Sequence, residues 1–174
     1  MQQSPMHVAI ACPHAGRMSS PRLTRGRHSR QNAVYAVTMA THHRQPLFQT
    51  PALANVVHDQ LHHCDREGIS QTHAWVAMPD HLHWLFTLRE DDLSACLRRF
   101  KSRCARAINM IRRVSEPVWQ SGFYDHRLRD DEDLRVQARY VVANPVRAGL
   151  VTDIREYPYW GCQWISRHAG FDDL

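Results

Sequence analysis

Residues 72–88 read THAWVAMPDHLHWLFTL, and this stretch decides how the chain folds. Two apolar segments, 72–79 and 81–88, meet at the dipeptide Pro79-Asp80, whose residues favour tight turns. We therefore predict two consecutive strands that are joined there. Side chains two positions apart lie on the same face of a strand. His81 and His83 are thus predicted to project side by side, while Leu82 points to the other face.

Strand and helix signals alternate in the sequence on both sides of this hairpin. Further strands are predicted over 32–41 and 122–130, and helices from Pro51 to just before Gly68, over 93–113, over 131–142 and from Pro145. Thr50 is the candidate N-cap of the first helix. The resulting order, β-α-β-β-α-β-α, predicts an α+β fold of the ferredoxin-like kind, an antiparallel sheet with helices on one face.

The composition is that of an ordinary globular domain. The 174 residues are 43% hydrophobic and 22% charged, and no apolar run is long enough for a transmembrane helix. The early apolar segment HVAIAC is too short for a signal peptide. Five scattered cysteines without a CxxC pair indicate reduced thiols. These features predict a cytoplasmic protein without membrane contact.

The net charge of +5 comes from the N-terminal segment. Residues 1–30 hold five arginines and no acid, whereas the rest of the chain has 17 basic and 17 acidic residues. Such an arm is either a nucleic-acid contact, with Arg25, Arg27 and Arg30 as candidates, or a solvated tail. We expect a basic arm over 1–25, one domain over 26–165 and a tail over 166–174.

The His81/His83 pair has two interpretations. Two imidazoles on one face of a strand can chelate one metal ion. They can equally be hydrogen-bonded histidines in a chain that contains 13 of them. An HxH pair also begins the ligand set of zinc hydrolases. Here it is followed by Trp84, Leu85 and Phe86 rather than by more ligands, which argues against that class.

A second candidate group lies in RYVVANPVRAGL, residues 139–150. Gln137 and Asn144 fall within three or four residues of Tyr140, on the same helical face. A tyrosine beside an amide is either a nucleophile next to a metal ligand or a half-buried structural tyrosine. Because Pro145 disfavours helical geometry in the preceding residue, we expect Asn144 at the end of the helix.

The third feature is the basic segment LRRFKSRCARAINMIRR, residues 97–113. It contains no acidic residue, and its apolar stripe is predicted to run from Leu93 to Ile111. A basic helix face of this kind can follow a phosphate backbone. The candidate contacts are Arg98, Arg99, Lys101, Arg103 and Arg106.

Taken together, these segments resemble one protein family. VAMPDHLHWLFTL, LRRFKSRCARAIN, VWQSGFYDHRLR and ARYVVANPVRAGLV are similar to the motifs of REP-associated tyrosine transposases, relatives of the single-tyrosine HUH transposases of insertion sequences. The resemblance runs from about Gly26 to Trp164. Its most specific parts are His-hydrophobic-His after Met-Pro-Asp, and a tyrosine four residues before Asn-Pro.

The resemblance implies a fold, a site and a substrate. The fold would be the ferredoxin-like HUH nuclease fold. His81, His83 and Asn144 would bind a divalent cation, Mg²⁺ or Mn²⁺, and Tyr140 would be the nucleophile. The substrate would be single-stranded DNA from repetitive extragenic palindromes, folded as a hairpin. Cleavage would leave a 5′-phosphotyrosine and a free 3′-OH, which allows strands to be rejoined.

The sequence leaves two questions open: whether the protein cuts the hairpin or only binds it, and whether it acts as a monomer or a dimer. A related protein that grips hairpin DNA or RNA without cutting it would need only the basic arm and helix. The candidate site residues all belong to one chain, so a monomer can work, but insertion-sequence relatives exchange the tyrosine helix between two subunits. The resemblance implies a nucleoid-associated protein and no small-molecule cofactor.

Overall fold

The computed structural model describes residues 29–90 and 92–165. Its strands are β1 (Val34–Ala40), β2 (Ser70–Met78), β3 (His81–Leu88), β4 (Tyr124–Arg127) and β5 (Trp160–Cys162). Its α-helices are α1 (Pro51–Arg66), α2 (Leu93–Arg112), α3 (Leu134–Val142) and α4 (Asn144–Arg147). Short 3₁₀ turns cover His42–Arg44, Leu47–Gln49 and Ile154–Glu156. The predicted arm over 1–25, which includes Arg25 and Arg27, and the predicted tail over 166–174 lie outside the described residues.

The five strands form one sheet in the order β4-β1-β3-β2-β5, and every neighbouring pair is antiparallel. The predicted hairpin is present: Met78 pairs with His81 across the turn formed by Pro79 and Asp80. β3 lies at the centre of the sheet, between β1 and β2. The predicted α+β fold with an antiparallel sheet is confirmed.

Helices cover both faces of the sheet. α1 and α2 pack on the face that carries Leu82, Trp84 and Phe86. α3 packs on the other face, where Ala138 and Val142 join Leu85 in a second apolar cluster. The expectation that all helices lie on one face is therefore wrong for α3. α3 packs there because the last five residues of both β2 and β3 are buried on both faces of the sheet, so each face needs helices to cover it.

The short strand β5 is absent from the sequence-based prediction. It has three residues and pairs with β2, so that Trp75 faces Gly161 across the ladder. Three residues are too few to show a period of two, which explains why this strand escapes a pattern search. In the part of the chain covered by the structure, no helix combines the length and the apolar character that a membrane crossing requires.

Candidate active site

The paired histidines lie on the α3 side of the sheet. They alternate along β3 with Leu82 and Trp84, which are buried in the opposite cluster. The Nε2 atoms of His81 and His83 are 3.0 Å apart, and the two rings meet at an angle of 83°. The prediction that both rings project side by side is confirmed.

The outer nitrogen of each ring is held by a neighbouring side chain. His81 Nδ1 donates to Asp80 Oδ1 at 2.6 Å, and Arg44 Nη1 lies 3.3 Å from the other oxygen of that carboxylate. His83 Nδ1 lies 2.9 Å from the hydroxyl of Thr38, its partner residue on β1. These contacts fix both ring orientations and direct the two Nε2 atoms to one point.

The surroundings favour uncharged imidazoles. Burial lowers the pKa of His83 to about 3, and the positive charges of His81, Arg147 and Arg44 act in the same direction. Burial also lowers the pKa of His81, against the opposing effect of Asp80. Burial alone would raise the pKa of Asp80, but its contacts with His81 and Arg44 outweigh burial and lower it. At neutral pH the pair therefore offers nitrogen lone pairs beside a carboxylate.

This arrangement fits a divalent cation. Two nitrogen ligands about 2.1 Å from one ion, and at right angles to each other, lie about 3.0 Å apart. The separation between the two Nε2 atoms has this value. Thr38 can donate to or accept from His83 Nδ1, so the ring can adopt the tautomer that metal binding requires.

Tyr140 and Asn144 line the same cavity as the two histidines. One cavity of about 410 Å³ is lined by His81, His83, Gln137, Tyr140 and Asn144. Tyr140 is 42% exposed, so a large substrate can reach it. Asn144 Nδ2 donates to the backbone carbonyls of Tyr140 and Val141, at 3.1 and 2.9 Å. This orientation turns Oδ1, the atom that could bind a cation, away from these carbonyls.

Two arginines that the sequence analysis did not select flank this cavity. The guanidinium carbon of Arg147 lies 4.0 Å from the centre of the Tyr140 ring, a cation–π contact. Arg44 lines the cavity itself. The signal for Arg147 was its position two helical turns after Tyr140, but the break at Pro145 hid that periodicity. Arg44 carries no such signal, because it follows β1 in a short turn.

The basic residues of α2 lie on the other side of the sheet. Arg98, Arg99 and Arg106 are exposed. Lys101 is used inside the protein instead: its Nζ donates to the backbone carbonyls of Gln120 and Gly122, and burial lowers its pKa to about 8. Arg103 makes a two-pronged ion pair with the carboxylate of Glu67, the residue that follows α1, at 2.6 and 3.1 Å.

Arg30 is exposed at the start of the described chain, and its backbone N–H donates to the Tyr35 hydroxyl. The structure thus brings together the four predicted site residues and places the predicted α2 contacts on the opposite face. Within residues 29–90 and 92–165, no cluster of three or more His, Cys, Asp or Glu side chains could hold a metal. The zinc-hydrolase alternative finds no third ligand of these types there.

Comparisons with known proteins agree with this geometry. Residues 29–144 match the family model described as Transposase IS200 like. The REP-associated tyrosine transposase of Escherichia coli (strain K12) is 32% identical over 96 residues, which cover 54% of this chain and 55% of that protein. A relative from Haemophilus influenzae, whose name assigns it to the same group, is 31% identical over 100 residues, or 51% of this chain and 57% of that protein.

The chain spans about half the length of these curated relatives. A solved structure, described as the REP-associated tyrosine transposase bound to a REP hairpin, superposes with a TM-score of 0.65 at 22% identity. The match covers 84% of this chain and 93% of that one, and it shows the fold. Because the family model spans most of the chain and contains the whole candidate site, this protein belongs to the IS200-like family of transposases.

Proposed function

We propose that this protein is a metal-dependent single-stranded DNA endonuclease and strand transferase that acts on hairpins of repetitive extragenic palindromes. One observation carries the proposal: a tyrosine, a pre-oriented histidine pair and an amide line a single cavity in a chain of the IS200-like transposase family. Support for the substrate comes from the relatives, since one solved relative is described as bound to a REP hairpin.

In this proposal His81, His83 and Asn144 hold one divalent cation, Mg²⁺ or Mn²⁺. When bound, the cation would polarise the scissile phosphate and balance the charge that develops on its oxygens. Mg²⁺ prefers oxygen ligands, so the two imidazoles make Mn²⁺ a fitting alternative. Arg44 and Arg147 add fixed positive charge around the same cavity, where a phosphate anion must enter.

Tyr140 supplies the nucleophile. Its phenol oxygen attacks the phosphorus, and the bond from phosphorus to the 3′ oxygen breaks. The products are a 5′-phosphotyrosine and a free 3′-OH. One phosphoester replaces another, so a 3′-OH from a second strand can reverse the step and rejoin DNA without ATP.

Hairpin binding is assigned to surfaces outside the cavity. The exposed arginines of α2, Arg98, Arg99 and Arg106, are the proposed contacts with the hairpin backbone, together with Arg30, Arg25 and Arg27. Lys101 fastens α2 to the backbone carbonyls of Gln120 and Gly122, and Arg103 fastens it to Glu67, so both hold this surface in place. We propose one catalytic domain over 26–165 between the basic arm and the tail, active as a monomer or a homodimer.

The test is a cleavage assay with Tyr140→Phe and a matched control, Tyr159→Phe, on the β5 side of the sheet. Hairpin DNA from repeats near the gene, labelled at either end, is incubated with Mg²⁺, Mn²⁺ or EDTA. We expect a metal-dependent covalent protein–DNA adduct in the wild type and in Tyr159→Phe. Tyr140→Phe should lose the adduct and keep hairpin binding, because only the phenol oxygen is missing.

Two outcomes would contradict the proposal. Cleavage by Tyr140→Phe at the wild-type rate would exclude Tyr140 as the nucleophile. Tight hairpin binding by the wild type with no adduct under either metal would instead identify a non-cutting DNA- or RNA-binding protein.

A further inference from the structure

A histidine–glutamate pair lies beside the candidate site and has no part in the proposal so far. His126 is on β4, and Glu132 lies in the turn that leads to α3. His126 Nε2 is 3.0 Å from both carboxylate oxygens of Glu132. The backbone N–H of Arg129 also donates to Glu132 Oε2, at 2.7 Å. The carboxylate is therefore held in place from two sides.

These bonds define which ring nitrogen of His126 carries a hydrogen. The backbone bond from Arg129 and then the bond from His126 lower the pKa of Glu132, so its carboxylate is ionised at neutral pH. An ionised carboxylate only accepts hydrogen bonds, so His126 Nε2 carries the hydrogen. In the neutral imidazole, Nδ1 is then the nitrogen with a lone pair, available to accept a proton.

The position of His126 in the sheet directs its ring towards the candidate site. Across the β1–β4 ladder His126 faces Ala36, and Tyr124 faces Thr38. Directly paired residues project to the same side of an antiparallel sheet. Thr38 contacts His83, so His126 lies on the His83 side, which is also the side covered by α3. His126 accordingly lines the same 410 Å³ cavity as Tyr140.

The other two imidazoles of the cavity are already committed. His81 and His83 use both ring nitrogens, one toward each other and one toward Asp80 and Thr38. A phenol has a pKa of about 10, so at neutral pH only about one molecule in a thousand is ionised. A nucleophile of this kind needs a group that removes its proton as it attacks.

We propose that His126, oriented by Glu132, is the general base that accepts the phenol proton of Tyr140; this role rests on the proposed function. As the bond from the phenol oxygen to phosphorus forms, the phenol proton moves to His126 Nδ1. The bond from phosphorus to the 3′ oxygen breaks, and that oxygen takes a proton from water. In strand joining, the incoming 3′-OH loses its proton to water, and the departing phenolate recovers the proton from His126. His126 is a catalytic residue in this scheme, and Glu132 is a positioning residue.

Several charged or titratable residues lie in the same turn or line the same cavity as His126. They are Glu132 and Arg129 in the following turn, Tyr124 on its own strand, His81 and His83 on β3, Tyr140 on α3, and Arg44 after β1. Of these, Glu132 makes the direct contact, so its removal should have the largest effect on how readily the ring accepts a proton.

The test compares His126→Gln and Glu132→Gln with His62→Gln, a control on the exposed side of α1. Adduct formation is measured under single-turnover conditions from pH 5.5 to 9, with hairpin DNA and the preferred metal. We expect His126→Gln to slow adduct formation about a hundredfold. It should also remove the limb of the pH–rate profile in which the rate rises as the imidazole loses its proton. Glu132→Gln should shift that limb to lower pH, because the imidazolium loses its carboxylate partner. His62→Gln should behave as the wild type.

A second measurement separates proton transfer from a structural role. A trifluorotyrosine placed at position 140 ionises near neutral pH and needs no base. It should restore most of the rate lost in His126→Gln, and a purely structural defect would not be restored. Equal losses in the tyrosine and trifluorotyrosine backgrounds, with the pH limb intact, would overturn the role of His126. Cleavage by Tyr140→Phe would instead refute the nucleophile, a separate result that concerns the proposed function.

Discussion

At the scale of single residues, the chemistry of the site depends on what holds each polar atom. His83 illustrates this best, because its half-buried ring lies between Thr38 and His81 with arginine charges nearby. Burial is the main reason that its protonated form is disfavoured, and the positive charges of His81, Arg147 and Arg44 act in the same direction. The same contacts that prepare the ring for a cation therefore make the folded state sensitive to acid.

This yields a prediction for the stability of the metal-free protein. The folded-state pKa of His83 is about 3, while that of an unfolded histidine is about 6.5. Between these values the unfolded chain binds a proton that the folded chain does not. The free energy of unfolding therefore falls as the pH drops from 6.5 towards 3, by about 2 kcal/mol at pH 5 from this group.

Urea unfolding in EDTA at pH 7 and pH 5 measures this effect. His83→Gln should show a smaller loss of stability between the two pH values than the wild type, and His62→Gln should show the wild-type loss. An unchanged difference in His83→Gln would mean that the ring titrates normally in the folded protein.

At the scale of secondary-structure elements, the helices divide the work between the two faces of the sheet. α3 carries Tyr140 over the histidine pair, while α2 lies on the opposite face with α1. Asp133 caps α3 by accepting from Arg135 N at 2.7 Å, so α3 begins at Leu134 rather than at 131. Ile111, expected in the buried stripe of α2, is 47% exposed. The sequence therefore predicted where the helices lie along the chain better than it predicted their exact ends or the surfaces against which they pack.

The proposed hairpin contacts on α2 lead to a prediction about salt. Arg99→Glu/Arg106→Glu should weaken hairpin binding at least tenfold at low salt. The negative slope of log K against log salt should become shallower by about 2. Arg155→Glu, a charge reversal away from α2, is the control. Fluorescence anisotropy with a labelled hairpin over a salt series makes the measurement. Unchanged affinity in the double variant would exclude this face as a contact.

Lys101 should respond differently from these arginines. Lys101→Met leaves two partly buried carbonyl groups without their donor, which costs about 1–3 kcal/mol of stability. Hairpin affinity of the folded variant should stay close to that of the wild type. Thermal unfolding and the same anisotropy assay distinguish the two effects.

At the scale of the whole molecule, β5 extends the sheet beyond β2 and covers Trp75. A Cβ atom at Gly161 would lie only 2.5 Å from Nε1 of Trp75, so this pairing requires glycine. Gly161→Ala should destabilise the protein by about 1–3 kcal/mol, because the edge strand or the indole must move. The cost should shrink in a Trp75→Phe background, where the clashing atom is gone, as a double-mutant cycle would show. Equal costs in both backgrounds would mean that contact with the Trp75 indole is not the cause of the destabilisation.

Much of the local structure could be predicted from the sequence. The period of two along β3 placed His81 and His83 on one face, and helical spacing placed Tyr140 beside Asn144. The hairpin at Pro79-Asp80 followed from turn chemistry. The start of α1 followed from the preference of Pro51 for a first helical position, although Thr50 makes no side-chain cap hydrogen bond. These features depend on neighbours within a few residues, so their patterns survive in the linear chain.

Only the tertiary structure decided which of these local groups meet. It placed α3 over the histidine pair and α2 on the far side, and it brought Arg44, Arg147 and the His126–Glu132 pair to the cavity from separate segments. The physical reason is that β2 and β3 are apolar on both faces, so either face could have received each helix. Contacts between elements depend on how the packed faces fit together, and no periodicity within a single element records that choice.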